Sequence, residues 1–303
     1  MEERILGRTG IKVRTLSYGA MDLRLLDLEN AGKLLNEALD HGINYIDTCP
    51  EYPMSEYFIG KTISHRRNEF ILATKCGDNM TGIGPLYQFD KKTVLSNLDN
   101  SLRQLKTDYI DVWQLHGIVP SFLPGGEEDE VLDVMREVKK SGKVRFLAVS
   151  IRTGYPDAFG YPGARSYEYA PVFSKWRDID VIQLVYGGLS RMAEKSISVA
   201  AKDGAGIVAR GILKKYKENY DAVFEESKLS ELFEEGETRN GFLVRFAISH
   251  PDISTIIIGS RNYLHVIDNI KSADKGRLPD DVYEEAKRRL DFVGAISGPV
   301  ILT

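Results

Sequence analysis

"GINYIDTCPEY", residues 42–52, decides how the chain is read. A strand-forming apolar run, Ile43 to Ile46, stops on a carboxylate, Asp47. Tyr52 follows five residues later, across Cys49, Pro50 and Glu51. A buried strand that ends on an acid, with a phenol just beyond it, suits a parallel strand whose C-terminal end opens into a polar mouth.

Outward from this stretch, apolar runs of the same kind recur. They are Thr15–Ala20, Ile43–Asp47, Glu69–Lys75, Tyr109–His116, Val144–Ser150, Val181–Tyr186, Gly206–Arg210 and Ser254–Gly259. Their hydrophobicity is nearly continuous rather than alternating, as expected of parallel strands covered on both faces. Amphipathic stretches fall between them. Residues 28–41 carry Leu28, Ala31, Leu35 and Ala38 on one face, with Asp27 as cap and Gly42 as stop. Residues 91–106 do the same behind Asp90, and 128–141 end at Gly142. Further helices are expected at about 56–64, 190–203, 229–249 and 261–272, with a weaker one at 166–178. Eight strand–helix units in 303 residues predict one (β/α)₈ TIM barrel spanning residues 1–303 as a single domain. Residues 4–17 read as a short N-terminal β-hairpin turning at "RTG", and 280–292 as an extra C-terminal helix. A doubly wound dinucleotide fold would place GxGxxG after an early strand, and none is present.

Bulk properties narrow the function. Forty Lys+Arg against 44 Asp+Glu give a formal charge of −4, which argues against a nucleic-acid footprint. No apolar run approaches a membrane span, and "MEERILGRTG" has no signal-peptide core. The two cysteines, Cys49 and Cys76, match no zinc spacing and make no disulfide framework. The expectation is a cytoplasmic protein without a metal, acting as a monomer or small homo-oligomer.

Chemistry concentrates at the strand ends. In chain order these carry Asp47, Lys75, His116, Ser150, Gln183, Arg210, and Ser260 with Arg261. Each has a bland explanation taken alone: a turn-capping acid, a packing tyrosine, a surface lysine, a satisfied core histidine. Their common topological level is harder to dismiss. A phenol has an unperturbed pKa of about 10, so it is a weak acid near neutrality. An adjacent ammonium favours the phenolate, and a carboxylate keeps that ammonium charged. Asp47, Tyr52, Lys75 and His116 thus compose a general-acid device aimed at a carbonyl oxygen. Side chains do not donate hydride, so a nicotinamide is implied.

These residues resemble the aldo-keto reductase superfamily. "GINYIDTCPEY" is similar to that family's second-strand motif, and "SEYFIGK" (55–61) to the helix after it. "ILATKCG" resembles the strand of the catalytic lysine, and "SLRQLKTDYIDVWQLHG" (101–117) the segment ending in the catalytic histidine. "SGKVRFLAVS" and "STIIIGSRNYLHVIDN" resemble the fifth- and eighth-strand segments. The resemblance implies NADP(H), with NAD(H) as a candidate second cofactor, and reduction of a small aldehyde or ketone. It makes Tyr52 the acid, Lys75 and Asp47 its tuning pair, and His116 the carbonyl orienter. Ser150 and Gln183 would hold the nicotinamide carboxamide. Ser260, Arg261, His265, Asp268 and Asn269 would hold the adenosine end, and Gly19, Ala20 and Met21 would line the mouth.

The chain departs from the pattern in four places, one of them His265, which aligns with the family's 2′-phosphate arginine. Ile151 stands where the family has Asn, and Arg210 where it has a stacking aromatic. A guanidinium can stack on a ring or bind an anion. The segment after it is not Gly-rich, leaving Lys214 and Lys215 as pyrophosphate candidates. Two other functions stay open: a cofactor-binding regulatory or partner-binding barrel with little turnover, and a Schiff-base lyase using Lys75. The substrate is not legible.

Overall fold

A computed structural model describes residues 1–80, 87–118, 130–152, 165–176, 178–213 and 220–302. Strands β1 (Glu3–Ile5) and β2 (Lys12–Arg14) form an antiparallel hairpin. Eight parallel strands follow: β3 (Leu16–Gly19), β4 (Tyr45–Asp47), β5 (Ile71–Cys76), β6 (Ile110–Ile118), β7 (Val144–Ile151), β8 (Ile179–Val185), β9 (Gly206–Arg210) and β10 (Thr255–Ile258). They pair in sequence order, and β10 returns to β3 to close a barrel. The expected (β/α)₈ architecture, with its N-terminal hairpin and C-terminal helix, is what forms.

Both strand faces are apolar for separate reasons. Tyr45, Ala73, Val112, Ala148, Val181, Val208 and Ile257 pack together as one cluster with Leu6 and Val13 of the hairpin. Ile46, Leu72, Trp113, Leu147, Ile182, Ile207 and Ile256 belong to a second, larger cluster with the helices. Side chains alternate along a strand, so the first set fills the barrel and the second faces outward.

The hairpin seals the N-terminal end of the barrel. Its 3₁₀ turn, Gly7–Thr9, closes on Gly10 at φ 71°. Gly7 itself has φ 50°, and a Cβ there would lie 2.1 Å from the Gly206 nitrogen, so only glycine fits against the base of β9. Arg4 donates to the carbonyls of Ile253 (2.6 Å), His250 (3.2 Å) and Ile248 (2.6 Å). Arg8 donates to those of Asp203 (2.7 Å) and Ser174 (2.9 Å).

The helices are α1 (Leu28–Asp40), α2 (Ser55–Thr62), α3 (Lys91–Leu105), α4 (Glu130–Lys140), α5 (Ala170–Ser174), α6 (Glu194–Lys202), α7 (Tyr220–Glu226), α8 (Arg239–Ser249), α9 (Tyr263–Asp274) and α10 (Asp280–Phe292). The caps read from sequence hold: Asp27 accepts from the Asn30 nitrogen and Asp90 from the Thr93 nitrogen. The expected helix over 229–249 is broken. A 3₁₀ turn (Leu229–Leu232) precedes α8, because Gly236 takes a left-handed φ of 73° and Thr238 caps a new start. The helix expected over 166–178 is a 3₁₀ turn (Ser166–Tyr169) leading into the short α5, and the one over 190–203 shortens to α6.

Candidate active site

Asp47 is the hub of the barrel mouth. It is buried at the end of β4, and its Oδ1 accepts from Lys75 Nζ at 2.6 Å. Its Oδ2 accepts from Gln114 Nε2 (2.9 Å) and Gln183 Nε2 (2.7 Å). Ser150 Oγ in turn donates to Gln183 Oε1 at 3.0 Å. Strand register makes this convergence: Lys75 pairs with Gln114, His116 with Ser150, and Ser150 with Gln183. Gln114 was not anticipated from sequence. Its signal is a position two residues before His116 on β6, hence on the same strand face.

Lys75 is 1% exposed and also donates to the Thr48 carbonyl at 2.7 Å. Burial opposes its charge, but the Asp47 carboxylate outweighs burial and holds its pKa above the ordinary lysine value. The ammonium lies 5.3 Å from the Tyr52 ring centroid. Burial raises the Tyr52 phenol above its ordinary value; Lys75 and Arg210 pull it down without overcoming that. The lysine therefore acts in the expected direction, and the phenol stays protonated, the state an acid needs. A Schiff-base lysine must shed its proton to attack. The geometry of Lys75 favours the opposite state.

One cavity of about 380 Å³ is lined by Gly19, Ala20, Met21, Asp47, Tyr52, Arg210 and Ile257–Gly259, among others. Arg210 is half-buried, and its Nη2 donates to the Ile151 carbonyl at 3.1 Å. Two of the departures from the family pattern thus touch each other. Ser150 and Gln183 sit behind the cavity, buried and engaged in the chain to Asp47. Ser260 and Arg261 lie where the cavity lining gives way to α9; Ser260 Oγ accepts from the Asn262 nitrogen at 3.1 Å. Arg261, His265 and Asp268 are exposed and Asn269 is buried. Lys214 and Lys215 lie outside the described residues.

His116 belongs to a second cluster beside the Lys75 pair. Its Nδ1 lies 2.6 Å from Asp78 Oδ1 and 3.3 Å from Cys49 Sγ, and the Tyr87 ring meets it edge-on at 5.2 Å. Burial works to raise Asp78, but the His116 ring holds its pKa below the usual carboxylate value. Neither Asp78 nor Glu51 was singled out from sequence. Asp78 follows Lys75 by three residues, just past the strand end, where a lone acid reads as a turn former.

A family model described as "Aldo/keto reductase family" matches residues 15–290. The chain belongs to the aldo/keto reductase family. It is 27% identical to the uncharacterized oxidoreductase YqkF of Bacillus subtilis, over 93% of this chain and 94% of that one. It is 33% identical to the L-galactose dehydrogenase of Arabidopsis thaliana over 53% of this chain and 51% of that one. The holo form of aldo-keto reductase AKR11C1 from Bacillus halodurans superposes with a TM-score of 0.79 at 25% identity, covering 95% of this chain and 96% of that one. An aldo/keto reductase is an oxidoreductase, and the strand-end chemistry above is the polar equipment that this barrel carries. No helix among the described residues is long and apolar enough to cross a membrane.

Glu56, in the family-like "SEYFIGK" segment, adds a measurable property. It is buried, accepts from Thr74 Oγ1 at 2.6 Å, and is pushed up to about 7, chiefly by burial. The unfolded chain ionises near the ordinary value of 4.5. Its contribution is therefore fully present below pH 4.5 and is lost as pH rises through about 7. The loss is on the order of 3 kcal/mol. Urea midpoints at pH 5 and pH 8 should differ less in Glu56→Gln than in the parent. Identical pH profiles would mean that Glu56 ionises normally in the fold.

Proposed function

We propose that the protein reduces an aldehyde or ketone to an alcohol, with NADPH preferred over NADH, as a single-domain cytoplasmic enzyme. The observation that carries this is the placement of Tyr52 above a buried Asp47–Lys75 pair, in one cavity with the β3 end and Arg210. A nicotinamide supplies hydride when bound. The cavity suits its ring end: Gly19, Ala20 and Gly259 give close, small-residue walls, and Arg210 adds a cation. Arg261 and His265, exposed at the start of α9, are the cationic candidates for the 2′-phosphate, with Ser260, Asp268 and Asn269 on the same segment.

Tyr52 transfers its proton to the carbonyl oxygen as the alkoxide develops. Lys75 stabilises the phenolate left behind, and Asp47 keeps Lys75 charged and fixed. Gln114, Gln183 and Ser150 hold Asp47 through a relay that spans four strands besides its own, counting Lys75. His116 orients the carbonyl. A screen of NADPH oxidation over aldehydes, ketones, keto acids and sugars tests the reading. No carbonyl-dependent oxidation by a folded, cofactor-binding protein would turn the assignment to the regulatory barrel.

Arg210→Ala should weaken NADPH, or an acidic substrate selectively, by about tenfold. Fluorescence titration and substrate KM values separate the two. If both constants are unchanged, Arg210 serves only as the clamp on the Ile151 carbonyl.

A further inference from the structure

We propose that Cys49, Asp78, His116 and Glu51 form a binding site for a divalent transition-metal ion, zinc above all, at the rim of the barrel mouth. One ligand atom from each lies within 4.8 Å of all the others. Four of the contacts among them are 2.6 Å (His116 Nδ1 to Asp78 Oδ1), 3.1 Å (Cys49 Sγ to the other Asp78 oxygen, Oδ2), 3.3 Å (Cys49 Sγ to His116 Nδ1) and 3.8 Å (His116 Nδ1 to Glu51 Oε2). Zinc bonds of 2.0–2.3 Å place the ligand atoms of a tetrahedron about 3.3–3.8 Å apart. The cluster is already near that size, so small side-chain rotations suffice.

The donor set is specific. One sulfur, one imidazole nitrogen and two carboxylates suit zinc, whereas calcium and magnesium take oxygen alone. Rigidity comes from the fold. Cys49 and Glu51 lie on the connection from β4 to α2, Asp78 follows β5, and His116 belongs to β6. Cys49 and Asp78 are at most 1% exposed, while the Glu51 side chain is 39% exposed and marks the way in. On binding, the Cys49 thiol gives its proton to solvent and the sulfur donates its electron pair to the ion. Binding therefore releases a proton and tightens as pH rises. Two carboxylates and a thiolate bring three negative charges, of which the ion offsets two; Lys75 lies close enough to favour the Asp78 carboxylate. Coordination through Nδ1 also leaves the neutral His116 ring with its hydrogen on Nε2, a donor tautomer.

The probe is Co²⁺ added to protein freed of metals by chelator dialysis, with no substrate or nicotinamide present. A thiolate-to-cobalt charge-transfer band should saturate at one ion per chain, and Zn²⁺ should displace it. Cys49→Ser should lose the band and Cys76→Ser should keep it. Glu51→Gln, a surface change that spares the fold, should keep the band and loosen Zn²⁺ by roughly tenfold or more. A parent without the band, or a band that survives Cys49→Ser, overturns the site and leaves a hydrogen-bonded cluster in which Asp78 accepts from both neighbours. An affinity unmoved by Glu51→Gln overturns the four-ligand assignment. Because the readout is optical and substrate-free, it stands or falls separately from the reductase reading.

Discussion

Tyr52→Phe is expected to lose carbonyl reduction by roughly 10²–10⁴-fold in kcat/KM, the span assigned to one general acid. Phenylalanine keeps the ring that lies 5.3 Å from the Lys75 ammonium and keeps the cavity wall. Only the O–H is removed, and it acts on charge that develops during the reaction. The dissociation constant for NADPH should therefore stay within about twofold, because ground-state contacts are untouched. Steady-state rates and cofactor fluorescence titration on the same preparation make the comparison. A variant that reduces carbonyls at close to the parent rate would remove Tyr52 from the chemistry. Equal loss of binding and rate would make it a packing residue.

Lys75→Met should fail twice, in rate and in stability. The rate falls because the phenolate loses the cation that stabilises it. Stability falls because Asp47, 5% exposed, would keep amide donors from Gln114 and Gln183 but lose its counter-charge. Breaking one side of a buried pair costs about 3–5 kcal/mol. The double change Asp47→Asn with Lys75→Met buries no charge and should recover much of that cost while remaining inactive. Urea unfolding of the parent, Asp47→Asn, Lys75→Met and the double variant gives the coupling directly. A Lys75→Met protein as stable as the parent would mean that the pair is hydrated, not buried.

The barrel was legible because its signal is redundant. Each strand is apolar on both faces, so a shift of one residue in a boundary leaves the assignment intact. Asp47, Tyr52, Lys75 and Arg210 were found for a second reason: all sit at or just beyond a strand end, where position along the chain maps onto height in the barrel. Gln114 lies within an apolar run, so its role depended on knowing what it faces across β5. The cluster around His116 was invisible, since Asp78 is 38 residues from it and the contact depends on how the β5 exit turns. The break before α8 falls in the polar stretch Glu234–Gly241, where Gly236 is a stop signal and Thr238 a cap signal that the single helix over 229–249 passed over. Ser150 and Gln183 lie at the strand-end level read from sequence, and what the sequence did not show is that Ser150 donates to Gln183 and Gln183 to Asp47.

The hairpin seal has a different kind of consequence. Leu6, Val13 and Arg4 close one end of the same strands whose other ends carry Asp47, Lys75 and Arg210. Durability and chemistry are thereby assigned to opposite poles of the strands. Substitutions at the mouth can be sampled for new substrates while the sealed pole sustains the folded lifetime, and repairs at the sealed pole can offset destabilising changes without touching the reacting atoms. For this chain, a search for altered specificity and a search for thermal tolerance can be run as two separate libraries and then combined with near-additive effects.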